Sequence, residues 1–270
     1  MTPASPRRPP YALTIASSDA SGGAGIQADL KAMSAFGVYG GSVIVGVTAQ
    51  NTRGVTATEV LPMEIIEQQY TAVAEDLPVA AIKTGMLATR EVVTWAGEVA
   101  MAADCPVVVD PVMVATSGDQ LLADDAVEAY RALIGAATVI TPNADETVAL
   151  TGITPSGPEE RAAAAARYLE WGTQAVLFKG GHVDQEGETV TDVLVTAAGE
   201  TRFDHPRIEG AMTHGSGCTL ASATAARLAA GDALADAVAV ATDYVHRAVA
   251  HPAAIGANGS VNHLVTPPLE

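Results

Sequence analysis

Six short apolar runs, rich in β-branched residues, constrain the fold of this chain more than any other feature of its sequence. The runs are ALTIA, GSVIVGVTA, AAIKTGM, PVVVDPVM, TVITPN and AVLFKGG. Stretches with helical spacing, such as MEIIEQQYTAVAEDL and EVVTWAGEVAMAA, lie between most of them. Strands that are apolar on both faces and alternate with helices are typical of a mostly parallel sheet covered on both sides. The sequence therefore predicts an α/β fold.

The segment that follows the sixth run has a different pattern. ETVTDVLVTAAGETRFDHPRI alternates polar and apolar residues around AAGE, which predicts a hairpin at an edge of the sheet. Two Ala-rich helices are predicted after it, from Ser216 to about Ala230 and from Asp232 to about Ala250. We expect residues 1–10, MTPASPRRPP, to form a disordered tail and residues 11–270 to form a single domain.

The composition narrows the class of partner. The chain of 270 residues is 49% hydrophobic, enough for a substantial core, and carries a formal net charge of −17. Such an acidic protein is a poor match for nucleic acid or for an anionic membrane, because both favour basic surfaces. Its two cysteines form no CxxC motif, and neither a signal peptide nor a membrane-spanning run is evident. We expect a cytoplasmic protein whose partners are small molecules.

A glycine-rich turn follows the first apolar run. In SDASGGAGIQADLKA, from Ser18 to Ala32, Gly23, Gly25 and Ala28 have the G-x-G-x-x-A spacing of dinucleotide-binding folds. That fingerprint also requires an acidic residue at the end of the second strand, where this chain has Gln50 and Asn51. No Walker A motif is present either. Dinucleotide binding is therefore the less favoured alternative for this turn.

A second glycine turn lies late in the chain, in MTHGSGCTLASATAARLAA. Gly215 and Gly217 allow the backbone N–H groups to turn inward at the start of a helix, where an anion is stabilised. Such a site suits the charge that develops on a transferring phosphoryl group. A thiol in this position, Cys218, is expected to have a lowered pKa and to act as a base or nucleophile. The alternative is an ordinary turn in which Cys218 only packs.

Polar residues end three further strands of the predicted sheet. Asp110 ends VVVDPVM, Asn143 ends the strand of ITPNADE, and Glu146 follows one helical turn later. Open α/β sheets bind ligands at the carboxyl ends of their strands, and the two carboxylates could hold Mg²⁺ through water. The alternative is that these residues only cap helices. Lys179, which closes AVLFKGG, could contact a nucleotide phosphate. Lys83 lies inside AIKTGM, and for both lysines the alternative is simple surface charge.

Taken in order, these segments resemble one enzyme family. ALTIASSDASGGAGIQADLKA, GVTAQNTRGV, IKTGML, VVVDPVM, TPNADE, LFKGGH and THGSGCTL are similar to the hydroxymethylpyrimidine/phosphomethylpyrimidine kinases of thiamine biosynthesis, which belong to the ribokinase-like superfamily. The resemblance extends from about Leu13 to His263. It implies a three-layer α/β/α sandwich with a mostly parallel central sheet, in one domain and usually in a homodimer. It also implies ATP-dependent phosphorylation of 4-amino-5-hydroxymethyl-2-methylpyrimidine, and then of its monophosphate to the pyrophosphate.

The resemblance assigns residues to both ends of the reaction. It places Asp29 near the hydroxymethyl group, and it makes Gln50 the residue that selects the aminopyrimidine edge, whose paired donor and acceptor suit an amide. The positions expected to surround the ring are Ser17, Thr48, Met86 and Val112. The positions expected to contact the nucleotide are Asn143, Lys179, Thr213 and Ser216, with Mg²⁺ at Glu146 and Asp110. At the second turn, Gly215 and Gly217 form the anion site and Cys218 stands where the wider superfamily has an aspartate base.

The sequence departs from the family pattern at three serines and leaves two other functions open. Ser17 stands where some relatives have Gly, Ser216 where Thr is commoner, and Ser260 where Pro is frequent. A pyridoxal/pyridoxine kinase of the same superfamily is the nearest alternative, although pyridoxal lacks the amine that Gln50 would recognise. A non-catalytic pyrimidine-binding module is the other, although such a module is expected to have lost Cys218, Lys179 or Glu146.

Overall fold

The computed structural model describes residues 8–113, 128–180 and 187–268. Most of the predicted tail and the last two residues of the LFKGGH segment, Gly181 and His182, lie outside these ranges. Within them, nine strands form one sheet in the order β3-β2-β1-β4-β5-β6-β7-β8-β9. The strands are β1 (Tyr11–Asp19), β2 (Tyr39–Asn51), β3 (Gly54–Val60), β4 (Val79–Thr84), β5 (Val107–Val109), β6 (Val139–Ile140), β7 (Ala175–Phe178), β8 (Thr189–Thr196) and β9 (Gly199–Pro206).

Six adjacent strands, from β2 to β7 in the order of the sheet, are parallel, and antiparallel strands lie at both edges. All six predicted runs are strands of the parallel part. The predicted hairpin is β8–β9, with β9 at the edge. The opposite edge strand, β3, was not predicted, because its residues are mostly exposed and carry no continuous apolar signal.

Helices cover both faces of this sheet. They are α1 (Gly25–Ala35), α2 (Met63–Ala74), α3 (Arg90–Ala102), α4 (Tyr130–Gly135), α5 (Ala144–Thr151), α6 (Pro158–Glu170), α7 (Ser216–Ala229) and α8 (Leu234–Ala250). The two Ala-rich helices predicted near the carboxyl end are α7 and α8.

Two apolar cores lie between the sheet and its helix layers, one on each face. Residues of α1, α7 and α8 pack on one face of the sheet, and residues of α2 to α6 pack on the other. The strand β5 shows why the buried runs are apolar throughout, because Val108 contributes to the first core while Val107 and Val109 contribute to the second. The predicted three-layer α/β/α sandwich with a mostly parallel sheet is confirmed. No helix in the described ranges is long and apolar enough to cross a membrane.

Candidate active site

Four polar residues lie at or just beyond the carboxyl ends of the parallel strands. Asp19 is the last residue of β1, Asp110 directly follows β5, and Lys179 directly follows β7. Asn143 lies three residues beyond β6, where it begins α5. In a parallel sheet these ends share one edge, and an open α/β sheet binds its ligands there.

The first glycine turn, Asp19–Gly25, is organised around one carboxylate. Asp19 accepts hydrogen bonds from the backbone N–H groups of Ser21 and Ala24, each at 2.8 Å, and from the Ser21 hydroxyl at 2.9 Å. It also lies 3.1 Å from Nε2 of His214. Burial alone would raise the pKa of Asp19, but the bonds from His214, Ser21 and Ala24 outweigh it and lower the pKa to about 2. Asp19 is therefore ionised at neutral pH.

The second glycine turn, Thr213–Cys218, lies directly against the first. Gly215 precedes α7 with a φ of +83°, a conformation that favours glycine, and a Cβ there would overlap the carbonyl oxygen of Gly23. A Cβ at Gly23 would in turn lie 2.6 Å from the ring of His214. Glycine is thus required on both sides of the contact. Gly217 and Cys218 lie in the first turn of α7, so their backbone N–H groups are among those without a partner inside the helix.

The thiol of Cys218 is not activated in the way that its position at a helix start predicted. Burial raises its pKa, the ammonium of Lys83 lowers it, and the carboxylates of Asp29 and Asp110 raise it again, to about 12 in total. The backbone N–H of Gly25 donates toward the sulfur, but that bond does not offset the rest. The expectation of a lowered pKa is therefore wrong for the ligand-free protein, because desolvation and two carboxylates outweigh the favourable charges.

Asp29 and Lys83 form an ion pair beneath the two glycine turns. Both Asp29 oxygens lie 2.9 Å from the Lys83 ammonium, and neither side chain has any exposed area. Thr14 and Ser222 donate further hydrogen bonds to the same carboxylate, each at 2.6 Å. The alternative of surface charge at Lys83 is therefore wrong. The Asp29 carboxylate is therefore bonded by protein groups on both oxygens, and its position near the hydroxymethyl group stays a prediction.

A second cluster of charges brings together three residues that the sequence had assigned to nucleotide and metal. The Lys179 ammonium lies 3.3 Å from Asp110 and 3.6 Å from Glu146, and a Cβ at Gly217 would lie 3.4 Å from the same nitrogen. Burial raises the pKa of Glu146, Lys179 lowers it and Asp110 raises it, to about 7 in total. Because Lys179 lies close to Gly217, the cluster adjoins the start of α7.

Helix capping accounts for part of this cluster. The Asn143 side chain accepts a bond from the Glu146 N–H at 2.8 Å, and the Glu146 carboxylate accepts one from the Asn143 N–H at 2.7 Å. This reciprocal capping box begins α5. Helix capping, the alternative function for these two residues, is confirmed. It leaves the second Glu146 oxygen, Oε1, outside the box.

The residues present fit Mg²⁺ only with ligands supplied from outside the chain. Among the described residues, no group of three or more His, Cys, Asp or Glu side chains is arranged to hold a metal ion. Asp110, however, is 1% exposed and its Oδ2 has no hydrogen-bond partner in those residues. An unpartnered buried carboxylate oxygen favours a cation. Mg²⁺ in phosphoryl-transfer sites is held by one or two carboxylates together with substrate phosphates, which matches this arrangement.

The residues expected around the substrate ring fall into two groups. Thr48 lies opposite Asp19 in the register of β1 and β2, and its hydroxyl is 2.9 Å from the Ser18 carbonyl and 3.0 Å from the Gln50 amide oxygen. Because this oxygen faces Thr48, the amide nitrogen of Gln50 is directed elsewhere.

The second group consists of Ser17, Met86 and Val112. Ser17 donates to the Met86 carbonyl through both its backbone N–H and its hydroxyl, at 3.0 Å and 3.1 Å. Val112 is half-buried two residues beyond Asp110.

Of the expected nucleotide residues in the second turn, Thr213 is exposed and its carbonyl accepts the Ser216 N–H at 3.0 Å.

Three contributors to this site were not assigned a role from the sequence. They are Asp19, His214 and the buried pair-forming Lys83. A signal existed for Asp19, since an acidic residue between a strand and a glycine turn often bonds the N–H groups of that turn. No local signal exists for its partner His214, which is 195 positions away in the chain.

The chain is similar to known kinases in sequence and in structure. The chain matches the family described as phosphomethylpyrimidine kinase over residues 19–262. It is 45% identical over 263 residues to the hydroxymethylpyrimidine/phosphomethylpyrimidine kinase of Streptomyces coelicolor, covering 97% of each chain. A crystal structure of phosphomethylpyrimidine kinase from Clostridium difficile has a TM-score of 0.78 and 41% identity, covering 88% of this chain and 99% of that one.

A pyridoxal kinase is also similar in structure. The enzyme from Staphylococcus aureus, in complex with pyridoxal, has a TM-score of 0.87 and 33% identity, covering 98% of this chain and 97% of that one. The family match and the relative from Streptomyces both extend over nearly all of the chain. This chain belongs to the phosphomethylpyrimidine kinase family.

Proposed function

We propose that this kinase transfers a phosphoryl group from ATP to 4-amino-5-hydroxymethyl-2-methylpyrimidine, and then to the monophosphate, in thiamine biosynthesis. The observation that carries the proposal is the contact between two glycine turns at the carboxyl edge of the sheet. One turn follows a strand beside Thr48 and Gln50, and the other begins α7 with unpaired N–H groups. A substrate alcohol and a nucleotide phosphate can therefore be held next to each other.

The phosphate end of this site consists of backbone and one cation. The N–H groups near Gly215 and Gly217 suit the oxygens of the transferring group, because a helix start carries partial positive charge. Lys179 contacts the outer phosphates, and Thr213, Ser216 and Asn143 bind the rest of the nucleotide. The 3.4 Å approach of Lys179 to the Cβ position of Gly217 supports this assignment.

At the substrate end of the site, Gln50 recognises the aminopyrimidine ring. The Gln50 amide oxygen lies 3.0 Å from the Thr48 hydroxyl and keeps a second lone pair to accept from the exocyclic amine, while the amide nitrogen donates to a ring nitrogen. Ser17, Met86 and Val112 surround the ring. Asp29 lies near the hydroxymethyl group, with its carboxylate fixed by Lys83.

Asp110 and Glu146 would hold Mg²⁺ together with the phosphates of ATP. When bound, the ion supplies positive charge against the charge of the phosphates. The unpartnered Asp110 Oδ2 supports this site.

Cys218 accepts the proton of the substrate hydroxyl. Its thiol is protonated in the ligand-free protein, since its pKa is about 12. The thiol must therefore release its proton to solvent as the substrates bind, aided by Lys83 and by the Gly25 N–H, before the thiolate accepts the proton of the hydroxyl. Phosphoryl transfer depends mostly on positioning and charge, so a base that ionises late is sufficient.

The broader setting follows the family resemblance. Residues 11–270 form one kinase domain behind a tail of residues 1–10, and the chain acts as a cytoplasmic homodimer. Its acidic surface, with a net charge of −17, suits small-molecule substrates rather than nucleic acid.

A pyridoxal kinase is the second candidate, favoured by the similarity to the Staphylococcus aureus enzyme. Release of ADP with the pyrimidine alcohol and with pyridoxal separates the two functions. Replacing Gln50 by Ala removes the amide that would pair with the ring amine. We expect kcat/KM for the pyrimidine to fall roughly 5- to 150-fold, which corresponds to a loss of about 1–3 kcal/mol in transition-state binding. The KM for ATP should stay unchanged.

Gln68→Ala is the matched control, because that amide is exposed on α2 and, among the described residues, bonds Glu64. Equal kcat/KM for the pyrimidine in Gln50→Ala and Gln68→Ala would refute the assignment of Gln50. A wild-type preference for pyridoxal would refute the proposed substrate.

A further inference from the structure

The two glycine turns are held together by one side chain that the proposed chemistry does not use. The His214 ring lies against Gly23, close enough that a Cβ there would be 2.6 Å from Cδ2 and 2.9 Å from Nε2. The same Nε2 lies 3.1 Å from Oδ2 of Asp19. His214 belongs to the second turn, whereas Asp19 and Gly23 belong to the first. The imidazole therefore spans the junction between them.

Asp19 transmits this contact to the whole first turn. The oxygen that faces His214, Oδ2, also accepts the Ala24 N–H at 2.8 Å and the Ser21 hydroxyl at 2.9 Å. Ala24 directly precedes Gly25, whose N–H donates toward the Cys218 sulfur. A displacement at Oδ2 is thus passed, through one short segment of backbone, to the group proposed to receive the substrate proton.

The backbone of His214 is fixed from the opposite side. Its carbonyl oxygen accepts the Ser260 hydroxyl at 3.1 Å and the Val261 N–H at 3.2 Å. The residue therefore cannot shift easily to restore its ring contact if the first turn moves. The ring contact of His214 and the two hydrogen bonds to its carbonyl oxygen together fix the position of the second turn.

We propose that His214 is a positioning residue, which acts through Asp19 to hold the phosphate-binding turn at a fixed distance from the substrate turn. The inference rests on the proposed active site. Phosphoryl transfer gains most of its rate from the alignment of the two reacting groups, and a misplacement of about 1 Å can cost about 10²-fold. His214 then raises kcat without contacting either substrate. Because Asp19 is ionised, it accepts the Nε2 proton from either the neutral or the protonated ring.

Four variants test the proposal by steady-state ADP release. His214→Leu removes the donor, and we expect kcat to fall by about 10- to 100-fold while both KM values stay within about twofold. His214→Gln keeps an N–H donor of similar reach and should recover part of the rate. Asp19→Asn should slow the enzyme, and the double variant Asp19→Asn/His214→Leu should be no slower than the worse single variant. His246→Leu is the control, since His246 contacts the Pro206 carbonyl at the surface.

The outcomes separate this proposal from the proposed function. The variants are compared on whichever alcohol the wild type phosphorylates, so a wild type inactive on the pyrimidine refutes only the substrate assignment. Full kcat in His214→Leu, a loss confined to KM, or multiplicative losses in the double variant would each refute the role of His214. If His214→Leu does not fold, His214→Asn takes its place: Asn is too short to reach Asp19, so a rate equal to that of His214→Gln would refute the proposal.

Discussion

Replacing Lys83 by methionine should destabilise this protein more than the same replacement of the exposed Lys31. Methionine fills most of the space of the lysine side chain but removes the ammonium that contacts both Asp29 oxygens at 2.9 Å. The Asp29 carboxylate would remain fully buried, with only the hydroxyls of Thr14 and Ser222 as partners.

The size of the effect follows from the burial of this pair. Burial alone would lower the pKa of Lys83, but the carboxylates of Asp29 and Asp110 outweigh it and raise the pKa, so the pair stays charged. Breaking a buried ion pair by removing one partner costs about 3–5 kcal/mol, because the other charge is left uncompensated. We expect the free energy of unfolding of Lys83→Met to be lower by that amount.

Denaturant unfolding of three variants checks this reasoning. Lys83→Met/Asp29→Asn removes both charges and should recover most of the loss, since neutral replacement of a buried pair is often tolerated. Lys31→Met is the matched control, because Lys31 is exposed and donates one hydrogen bond to the Gly22 carbonyl; we expect a change of about 1 kcal/mol or less. A loss below about 1 kcal/mol in Lys83→Met, or a double variant less stable than Lys83→Met, would refute the account of the ion pair.

Two further predictions follow from perturbed pKa values. Burial, together with Lys31 and His214, lowers the pKa of His263 from 6.5 to about 4; the unfolded chain therefore binds this proton first, and the free energy of unfolding should fall by about 3 kcal/mol as the pH drops from about 6.5 to 4. Comparison with His263→Gln isolates this loss, and an equal pH dependence in both proteins would contradict it. Alkylation of Cys218 in the ligand-free protein should be slow at pH 7 and should rise about tenfold per pH unit above it, because the pKa of the thiol is about 12. Mass spectrometry of the modified peptide measures this rate, and a plateau near pH 7 would show that the thiol is already ionised.

The parallel part of the fold was predictable because each of its strands is a local sequence signal. The runs that form β1 and β2 are apolar on both faces, and the glycines before α7 mark a helix start. The edge strand β3, Gly54–Val60, was not predictable in this way, since most of its side chains are exposed and its pairing with β2 is decided by the hairpin between them.

The sequence predicted which segments form the site, but it did not predict the ionisation of Cys218. The segments around Gln50, Asp110, Lys179 and Cys218 do meet at one edge of the sheet, as strand order in a parallel sheet requires. The pKa of Cys218 depends instead on burial and on charges brought from three other elements, none of which is adjacent in the chain. The contact between Asp19 and His214 is likewise tertiary, so no local pattern announces it.

The kcat of Cys218→Ala, measured by ADP release beside that of Cys105→Ala, tests the proposed mechanism most directly. Cys105 precedes β5 and packs at the edge of the core, so its replacement should leave kcat unchanged. Cys218→Ala should bind both substrates with KM values near those of the wild type and should lose about 10²- to 10⁴-fold in kcat, the usual contribution of a positioned base. A Cys218→Ala variant with the kcat of the wild type would contradict the mechanism, because the anion-binding turn and the charges around it would then carry the reaction without the thiol.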